Sequence, residues 1–470
     1  MSITMRLPPS SRFKRHLLAM TAFALLASGC AVGPTYQRPT AATPVAYKEA
    51  QNWVPAAPAD AFERGPWWQL FDDPVLNELA AGIDISNQNI AAASAAYAQA
   101  RALVREQRAS LFPVITLNGS ADRSGGGSSS SRSGNTFQTS IGGSWEPDVW
   151  GRLSRGVDSA SASAQASAAD LASARLSAQG ELATNYFSIR QTDAQQALLA
   201  STIDGYQRTL QITQNRYAAG IAAKTDVLQA QTQLANAQSE ALGLERQRAQ
   251  LEHAIAVLLG RAPADFSLAV AAWKASVPQV PLGVPSTLLQ RRPDIAAAER
   301  RVAVTNEQIG IAQSAFYPSI NLSASYGFGA SSVADLFNAS SSLWSLGLSA
   351  AQVLFNAGAT RERVAAAQAA QDAAVARYRQ TVLVAFQDVE DQLTGTRVLL
   401  QQQDLLRQAS QAADEAETQM LNRYRAGQVS YTEVVTAQAS ALSARRALVK
   451  LQADRQTTAV ALIQSLGGSW

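Results

Sequence analysis

Asn215–Gln231 reads NRYAAGIAAKTDVLQAQ, and Asn422–Gln438 reads NRYRAGQVSYTEVVTAQ. Gly220 and Gly427 stand where a helix is stopped by a residue in the left-handed conformation. Five residues on, Thr225 and Thr432 are suited to cap a second helix. Asp226 and Glu433 then fall in its first turn, where the helix dipole favours negative charge. Each stretch predicts the tip of a helix hairpin, over 215–226 and 422–433. Further out, Ile90–Leu117 (IAAASAAYAQARALVREQRASLFPVITL) matches Ile295–Leu322 (IAAAERRVAVTNEQIGIAQSAFYPSINL), so the chain repeats at an offset of about 205 residues. One ancestral unit has been duplicated.

Proline punctuates the rest. None occurs between Pro147 and Pro263 or after Pro318, and those intervals are rich in the helix formers Ala, Gln, Leu, Arg and Glu. Residues 153–217 read as one helix about 100 Å long. Such a helix needs partners along its length. Heptad spacing supplies two seams: Val157, Ala160, Ala164, Ser167, Leu171, Ala174 and Ala178, and Val435, Ala439, Leu442, Arg446, Val449, Ala453, Gln456, Val460 and Ile463. Helices alone are also compatible with a free-standing antiparallel coiled coil.

The strands argue against that. After Pro318, Ile320, Leu322, Ala324, Tyr326 and Phe328 alternate with Ser319, Asn321, Ser323 and Ser325. After Pro113, Ile115, Leu117 and Ala121 oppose Thr116, Asn118, Ser120 and Asp122. Return strands follow: Phe137, Ile141 and Trp145 against Gln138, Ser140 and Ser144, then Trp344, Leu346, Leu348 and Ala350 against Ser345, Gly347 and Ser349. Strands are predicted near 114–122, 136–146, 319–328 and 343–354, long enough to cross a bilayer when tilted. A soluble sandwich with one wet face also alternates, but the strand length and the purely polar second face favour lipid. The loop Arg123–Asn135 (RSGGGSSSSRSGN) suits an outer surface, and the more apolar Gly327–Ser342 has room for a short helix. Open sheet edges are not tolerated in hydrocarbon, and bacterial barrels have at least about eight strands. Four strands per chain therefore predict a barrel shared between copies.

Residues 1–29 read as a signal peptide: Arg6, Arg12, Lys14 and Arg15 precede a short apolar stretch, Leu17–Ala27, too short to span a bilayer. Cys30, the only cysteine, follows Leu-Ala-Ser-Gly, which resembles a bacterial lipobox and implies N-acyl and S-diacylglycerol lipid on Cys30. An ordinary secretory signal with an incidental cysteine is the competing reading. Ala31, by the sorting rule for such lipoproteins, implies the outer membrane. Removing residues 1–29 leaves 35 Lys and Arg against 36 Asp and Glu, so the precursor's +3 becomes −1 and nucleic-acid binding has no electrostatic support. No 18-residue apolar run is present, hence no membrane-crossing helix is expected. The proline-rich 31–66 should be extended along the surface of something else.

Over residues 30–470 the chain resembles the TolC-like outer membrane factors, lipoprotein branch of resistance–nodulation–division efflux systems. The residues behind this are Cys-Ala-Val-Gly-Pro-Thr-Tyr (30–36), Trp67-Trp68-Gln69-Leu70-Phe71, Pro285–Arg300 (PSTLLQRRPDIAAAER) and the final Leu466-Gly467-Gly468-Ser469-Trp470. The resemblance implies a mainly α fold with a membrane β-barrel: a homotrimer with a twelve-stranded barrel and a helical periplasmic tunnel. It divides the chain into signal (1–29), lipidated extended segment (30–66), first repeat (67–262), equatorial linker (263–292) and second repeat (293–470). Its implied partners are a periplasmic adaptor, an inner membrane pump and outer membrane lipid. At the tips it implies a gate, with Glu433 where the family often has a carboxylate and Thr436 where a second, aspartate, is common. Arg216, Arg423, Arg425, Tyr217 and Tyr424 would tie neighbouring hairpins together, and Gly220, Ala222, Thr225, Gly427, Val429 and Thr432 would face the adaptor. Helix-end chemistry alone accounts equally well for Asp226 and Glu433.

No catalytic constellation is legible, so no enzyme, metal site or cofactor is expected. His253, the only histidine after residue 29, reads as structural or solvated, and Asp388, Glu390 and Asp391 as a solvated helix face. The reading is a passive exit duct for small molecules. A duct for protein secretion and a coiled-coil scaffold lipoprotein are the alternatives.

Overall fold

The computed structural model describes residues 32–41, 43–50, 66–125, 134–271, 273–278, 280 and 291–468. After a 3-10 turn at Trp67–Phe71 come α1 (Pro74–Ser86), α2 (Gln88–Ala109), β1 (Val114–Ser124), β2 (Gly134–Trp145), α3 (Arg152–Ala218) and α4 (Lys224–Leu258). Then follow α5 (Pro293–Ser314), β3 (Ser319–Ala330), β4 (Ser342–Ala351), α6 (Ala359–Arg425) and α7 (Tyr431–Ser465). The duplication is visible in lengths: α2 and α5 have 22 residues each, α3 and α6 67, α4 and α7 35. Contacts divide the chain into two units, one of residues 1–40, 97–167 and 298–378, the other of 41–96, 168–297 and 379–470. Both α3 and α6 contribute to each.

The first unit holds the sheet. Its order is β1-β2-β3-β4, every pair antiparallel. Pro113 and Pro318 immediately precede β1 and β3; proline cannot donate to a helix ladder and biases the chain toward extension. The register aligns Leu117, Ile141, Tyr326 and Trp344 in one row across the sheet. These four side chains are 55–77% exposed, a solvation that water would penalise and hydrocarbon favours. The adjacent row runs Thr116, Gly142, Ser325 and Ser345, with the two serine hydroxyls 2.8 Å apart. β4 stops at Ala351, three residues short of the expected end. Ala351 pairs with Ser319, the first residue of β3, so residues 352–354 have no strand to bond. The loop after β3 carries two 3-10 turns, Val333–Asp335 and Ala339–Ser341, while most of the serine-rich loop lies outside the described residues. β1 and β4 are each paired on one side only.

An extended strap crosses this unit. Val32 N donates to Trp150 O at 3.1 Å, and Pro34 O accepts from Arg155 Nη1 (3.3 Å) and Asn306 Nδ2 (3.2 Å). Gly33 adopts φ +120°, and a Cβ there would lie 2.5 Å from Gly310 Cα, so the pass admits only glycine. Tyr36 donates to Glu299 Oε1 at 2.5 Å, and burial, then that bond, pushes its phenol upward. α3 starts where Asp148 accepts from Leu153 N (2.8 Å) and Ser154 N (2.7 Å), a carboxylate on the orphan donors of a helix N-terminus.

In the second unit Asp391 is exposed as expected of a solvated face, but Asp388 and Glu390 are half-buried and engaged. Glu390 accepts the backbone amides of Lys48 (2.7 Å) and Glu49 (3.0 Å), and Asp388 binds Arg292 at 3.0 Å. An extended segment has no ladder of its own, so its amides need side-chain acceptors. Arg292 also binds Asp294 and Ser465 O; burial opposes its charge, but Asp294 and Asp388 outweigh that and raise its pKa.

Both polar members of the α7 seam are explained. Arg446 pairs with Glu240. Gln456, fully buried, accepts from Trp273 Nε1 (2.8 Å) and donates to Lys274 O (2.8 Å) and Ser276 O (3.0 Å), clasping the linker between repeats. A second clasp joins Asp193 to Arg190 (3.1 Å) and Arg248 (2.7 Å). Arg190 then reaches Ala269 O (2.9 Å) and Arg248 reaches Leu268 O (2.5 Å). Near the tip the buried register of α7 is Tyr431, Val434, Gln438 and Ala441, one residue off the expected seam. Val435 and Leu442 are only half-buried and Ala439 is exposed. His253 is exposed on α4.

Candidate functional site at the helix-hairpin tips

α3 and α6 end by the same device. Gly220 (φ 73°) and Gly427 (φ 76°) are left-handed. Ile221 N donates to Arg216 O at 2.9 Å and Gly220 N to Tyr217 O at 3.0 Å. In the second repeat Gln428 N donates to Arg423 O and Gly427 N to Tyr424 O, both at 2.9 Å. Both are Schellman closures, which satisfy carbonyls the helix end leaves orphaned.

Thr225 and Thr432 do not cap the following helices. The cap positions are Ala223 and Ser430, which puts each threonine inside the first turn. The Schellman bonds reverse the chain so quickly that extended backbone at Ala223 (ψ 155°) and Ser430 (ψ 156°) already leads into the helix. Asp226 and Glu433 do lie in the first turns of α4 and α7. Ser430 Oγ lies 3.4 Å from Glu433 Oε1, and Thr436 donates back to Thr432 O at 3.0 Å.

The two tips meet within one chain. The Arg216 guanidinium sits 4.9 Å from the Tyr424 ring centroid and donates Nη1 to Arg425 O at 3.1 Å, while its buried Nε has no partner. Tyr424, 3% exposed, packs with Ala230, Tyr431 and Val434, and its hydroxyl lies 3.5 Å from Thr213 Oγ1. Burial pushes the Tyr431 phenol up, helped by Tyr424, Tyr206 and the Asp226 carboxylate. Val429 turns inward onto this cluster. On the turns Ile221 is 66% exposed and Gln428 is exposed as well. Arg423, Arg425 and Tyr217 are exposed, and Ala222 is half-buried. Sequence reasoning does not reach Thr213, Tyr431 or Val434; the three-residue step from Tyr431 to Val434, which puts both on one face of α7, is the signal for the last two. Cys30 lies outside the described residues.

A sheet with a lipid-suited face, joined to helices of 67 residues that turn back at glycine-stopped tips, is the build of an outer-membrane channel subunit. The family described as "Outer membrane efflux protein" matches residues 83–261 and 284–468. The probable efflux pump outer membrane protein TtgC of Pseudomonas putida is 30% identical over 465 residues, 97% of this chain and 96% of that protein. The cation efflux system protein CusC of Escherichia coli is 28% identical over 449 residues, 95% and 97%. Among solved structures, the outer-membrane channel OprN aligns with a TM-score of 0.85 at 31% identity, covering 94% of this chain and all of that one. The open state of the Neisseria gonorrhoeae MtrE outer membrane channel gives 0.82 at 25%, covering 93% and 98%. The chain belongs to the outer membrane efflux protein family, and it is an outer-membrane efflux duct with two repeats.

Proposed function

We propose that three copies close one twelve-stranded barrel and that the long helices continue it as a periplasmic tunnel. The carrying observation is the apolar row Leu117–Ile141–Tyr326–Trp344 on a sheet whose two edge strands are each paired on one side only. Hydrocarbon favours that face but does not tolerate those edges. Neighbouring copies supply the missing partners, and four strands from each of three copies make a closed, even-numbered barrel.

The duct is passive and performs no catalysis. Small toxic molecules enter it from an inner membrane pump of the resistance–nodulation–division type, bridged by a periplasmic adaptor. A lipid on Cys30 adds a second anchor to the strap at Val32–Tyr36. Asp226 and Glu433 line the narrow mouth, where carboxylates repeated by three-fold symmetry favour cations. The adaptor docks on exposed Ile221 and half-buried Ala222 of one tip and on exposed Gln428 of the other.

Photo-crosslinking in intact cells from Ile221, Ala222 and Gln428, with mass spectrometry of the captured protein, tests this. Capture of a periplasmic adaptor encoded with a small-molecule efflux pump is the expected result. An adaptor that serves an ABC exporter would move the assignment to protein secretion. No capture, where pump and duct are both assembled, would overturn the docking surface.

A further inference from the structure

The end of the sheet at which β1 and β3 begin carries, at its two edges, cations without acid partners. Arg101, Arg105 and Arg108 stand at i, i+4 and i+7 on α2, which leads into edge strand β1, so they share one helix face. Arg361 and Arg363 lie in the first two turns of α6, which follows edge strand β4. All five are exposed. Arg101 lies 5.8 Å from the Tyr97 ring centroid, and the other four make no side-chain hydrogen bond, ion pair or ring contact among the described residues. Residues 101–112 and 352–363 hold these five arginines and two acids, Glu106 and Glu362, a net charge of +3. Glu106 falls off the arginine face of α2, and Glu362 occupies the first turn of α6, where the helix dipole holds it. Between the arginines and the strands, Phe112, Leu354 and Phe355 are 67–90% exposed.

The middle of the same sheet end is finished differently. Arg152 pairs with Glu146 at 2.7 Å, Arg155 with Glu307 at 2.6 Å, and the strap lies across Asn306 and Gly310. The duplication maps Asn306 onto Arg101 and Gly310 onto Arg105. The face of α5 that meets the strap is therefore the arginine face of α2. Gly33 passes against Gly310 Cα, a pass that an arginine at the equivalent position closes.

We propose that these arginines bind the phosphates of anionic phospholipids in the periplasmic leaflet of the outer membrane, forming a collar under the edge strands. This rests on the sheet being the membrane-crossing part of the duct, as read above. The headgroup layer is about 5–8 Å deep on each side of the hydrocarbon. Arg105 and Arg108 lie four and one residues from the end of α2, and Arg361 and Arg363 two and four residues into α6. At 1.5 Å per residue all four stand within about 6 Å of their helix ends, and Arg101 about 12 Å back. The exposed rings of Phe112 and Phe355 suit the boundary just above, where aromatic side chains settle. A planar guanidinium takes two phosphate oxygens at once. A zwitterionic headgroup brings its own ammonium, so a surplus of positive charge selects a headgroup with a net negative one. In the trimer β4 of one copy adjoins β1 of the next. Arg361 and Arg363 then approach the end of the neighbouring α2, and phosphate between them offsets the repulsion of like charges.

Native mass spectrometry of the full-length protein in detergent tests this, with dioleoyl-phosphatidylglycerol and dioleoyl-phosphatidylethanolamine supplied in equal amounts. The protein should retain phosphatidylglycerol over phosphatidylethanolamine by at least about fivefold, the effect of one guanidinium near an anionic surface. Arg105→Gln/Arg108→Gln/Arg361→Gln/Arg363→Gln should bring that ratio to about one. Arg208→Gln/Arg407→Gln, at exposed cations far along α3 and α6, should leave it unchanged. Equal retention by the wild type, or a preference that survives the quadruple variant, overturns the collar. Where the quadruple variant does not assemble, Arg108→Gln and Arg361→Gln singly should each lower the ratio, and no change in either overturns it likewise. Planar-bilayer conductance keeps the two readings apart. Wild-type protein that conducts without a lipid preference overturns the collar alone, whereas protein that does not conduct overturns the duct and the collar with it.

Discussion

Replacing Arg216 with alanine removes the cation that holds the two tips of one chain together, and its effect follows from three local terms. The bond from Nη1 to Arg425 O at 3.1 Å is charge-assisted and contributes about 1.5–3 kcal/mol. The Tyr424 ring, 4.9 Å from the guanidinium carbon, adds about 1 kcal/mol. Against these, the buried Nε without a partner costs about 1–3 kcal/mol. The net is about 1.5 kcal/mol, a factor of about 10 in the balance between packed and parted tips. If three copies part together, the factors multiply to about 10³. The assay is single-channel recording of the reconstituted protein, with Arg425→Gln as control, because Arg425 contributes its carbonyl and not its side chain. Arg216→Ala should raise the resting conductance and Arg425→Gln should not. Equal behaviour of the two variants would show that the Arg216 contact does not restrain the mouth.

Three further outcomes are expected. Asp193→Ala strips the anion from two guanidiniums, of which Arg190 is 2% exposed, and breaking such a buried network costs about 3 kcal/mol or more. Hydrogen exchange at the Leu268 amide, which donates to Glu252 of the same clasp, should accelerate about 100-fold, and much less in Asp193→Asn. Glu433→Gln removes three charges from a three-fold mouth and should weaken block of single-channel current by cations; unchanged block would remove Glu433 from the pore lining. Tyr47 is pushed up to about 12 by burial and then by the Glu390 carboxylate. An unfolded tyrosine ionises near 10, so the contribution of Tyr47 to stability is complete below about pH 10. It is lost as pH rises from about 10 to about 12, a loss of about 3 kcal/mol. Tyr47→Phe should flatten that alkaline decline in a denaturation series and remove part of the phenolate absorbance step near pH 12.

Local chemistry made the duplication, the strand positions and the tip glycines legible in the sequence alone. Alternation with period two reports a sheet with two unlike faces, and a glycine between two helical runs reports a left-handed stop. These signals sit within a few residues of one another, and the sheet register and both Schellman closures bear them out. The strand count had a clear reading for the same reason, because edges left open in lipid require partners whatever the rest of the chain does.

What only the tertiary structure decided is which groups meet across long separations. Spacing gives Glu390 the same solvated face as Asp391, and only the fold brings the amides of residues 48 and 49 to it. Gln456 looked like a flaw in an apolar seam until Trp273, Lys274 and Ser276 came to it from the linker. Near the tip, heptad spacing in α7 fits two adjacent registers equally well. Packing of Tyr431 and Val434 against Tyr424 chose between them. Residue type suits Thr225 and Thr432 to the cap, while the Schellman reversal puts the cap two residues earlier. Propensity and period act over one turn or one pleat. Polar pairs such as Arg216 with Tyr424 act between atoms that two hundred residues of chain bring together, and no local signal encodes that meeting.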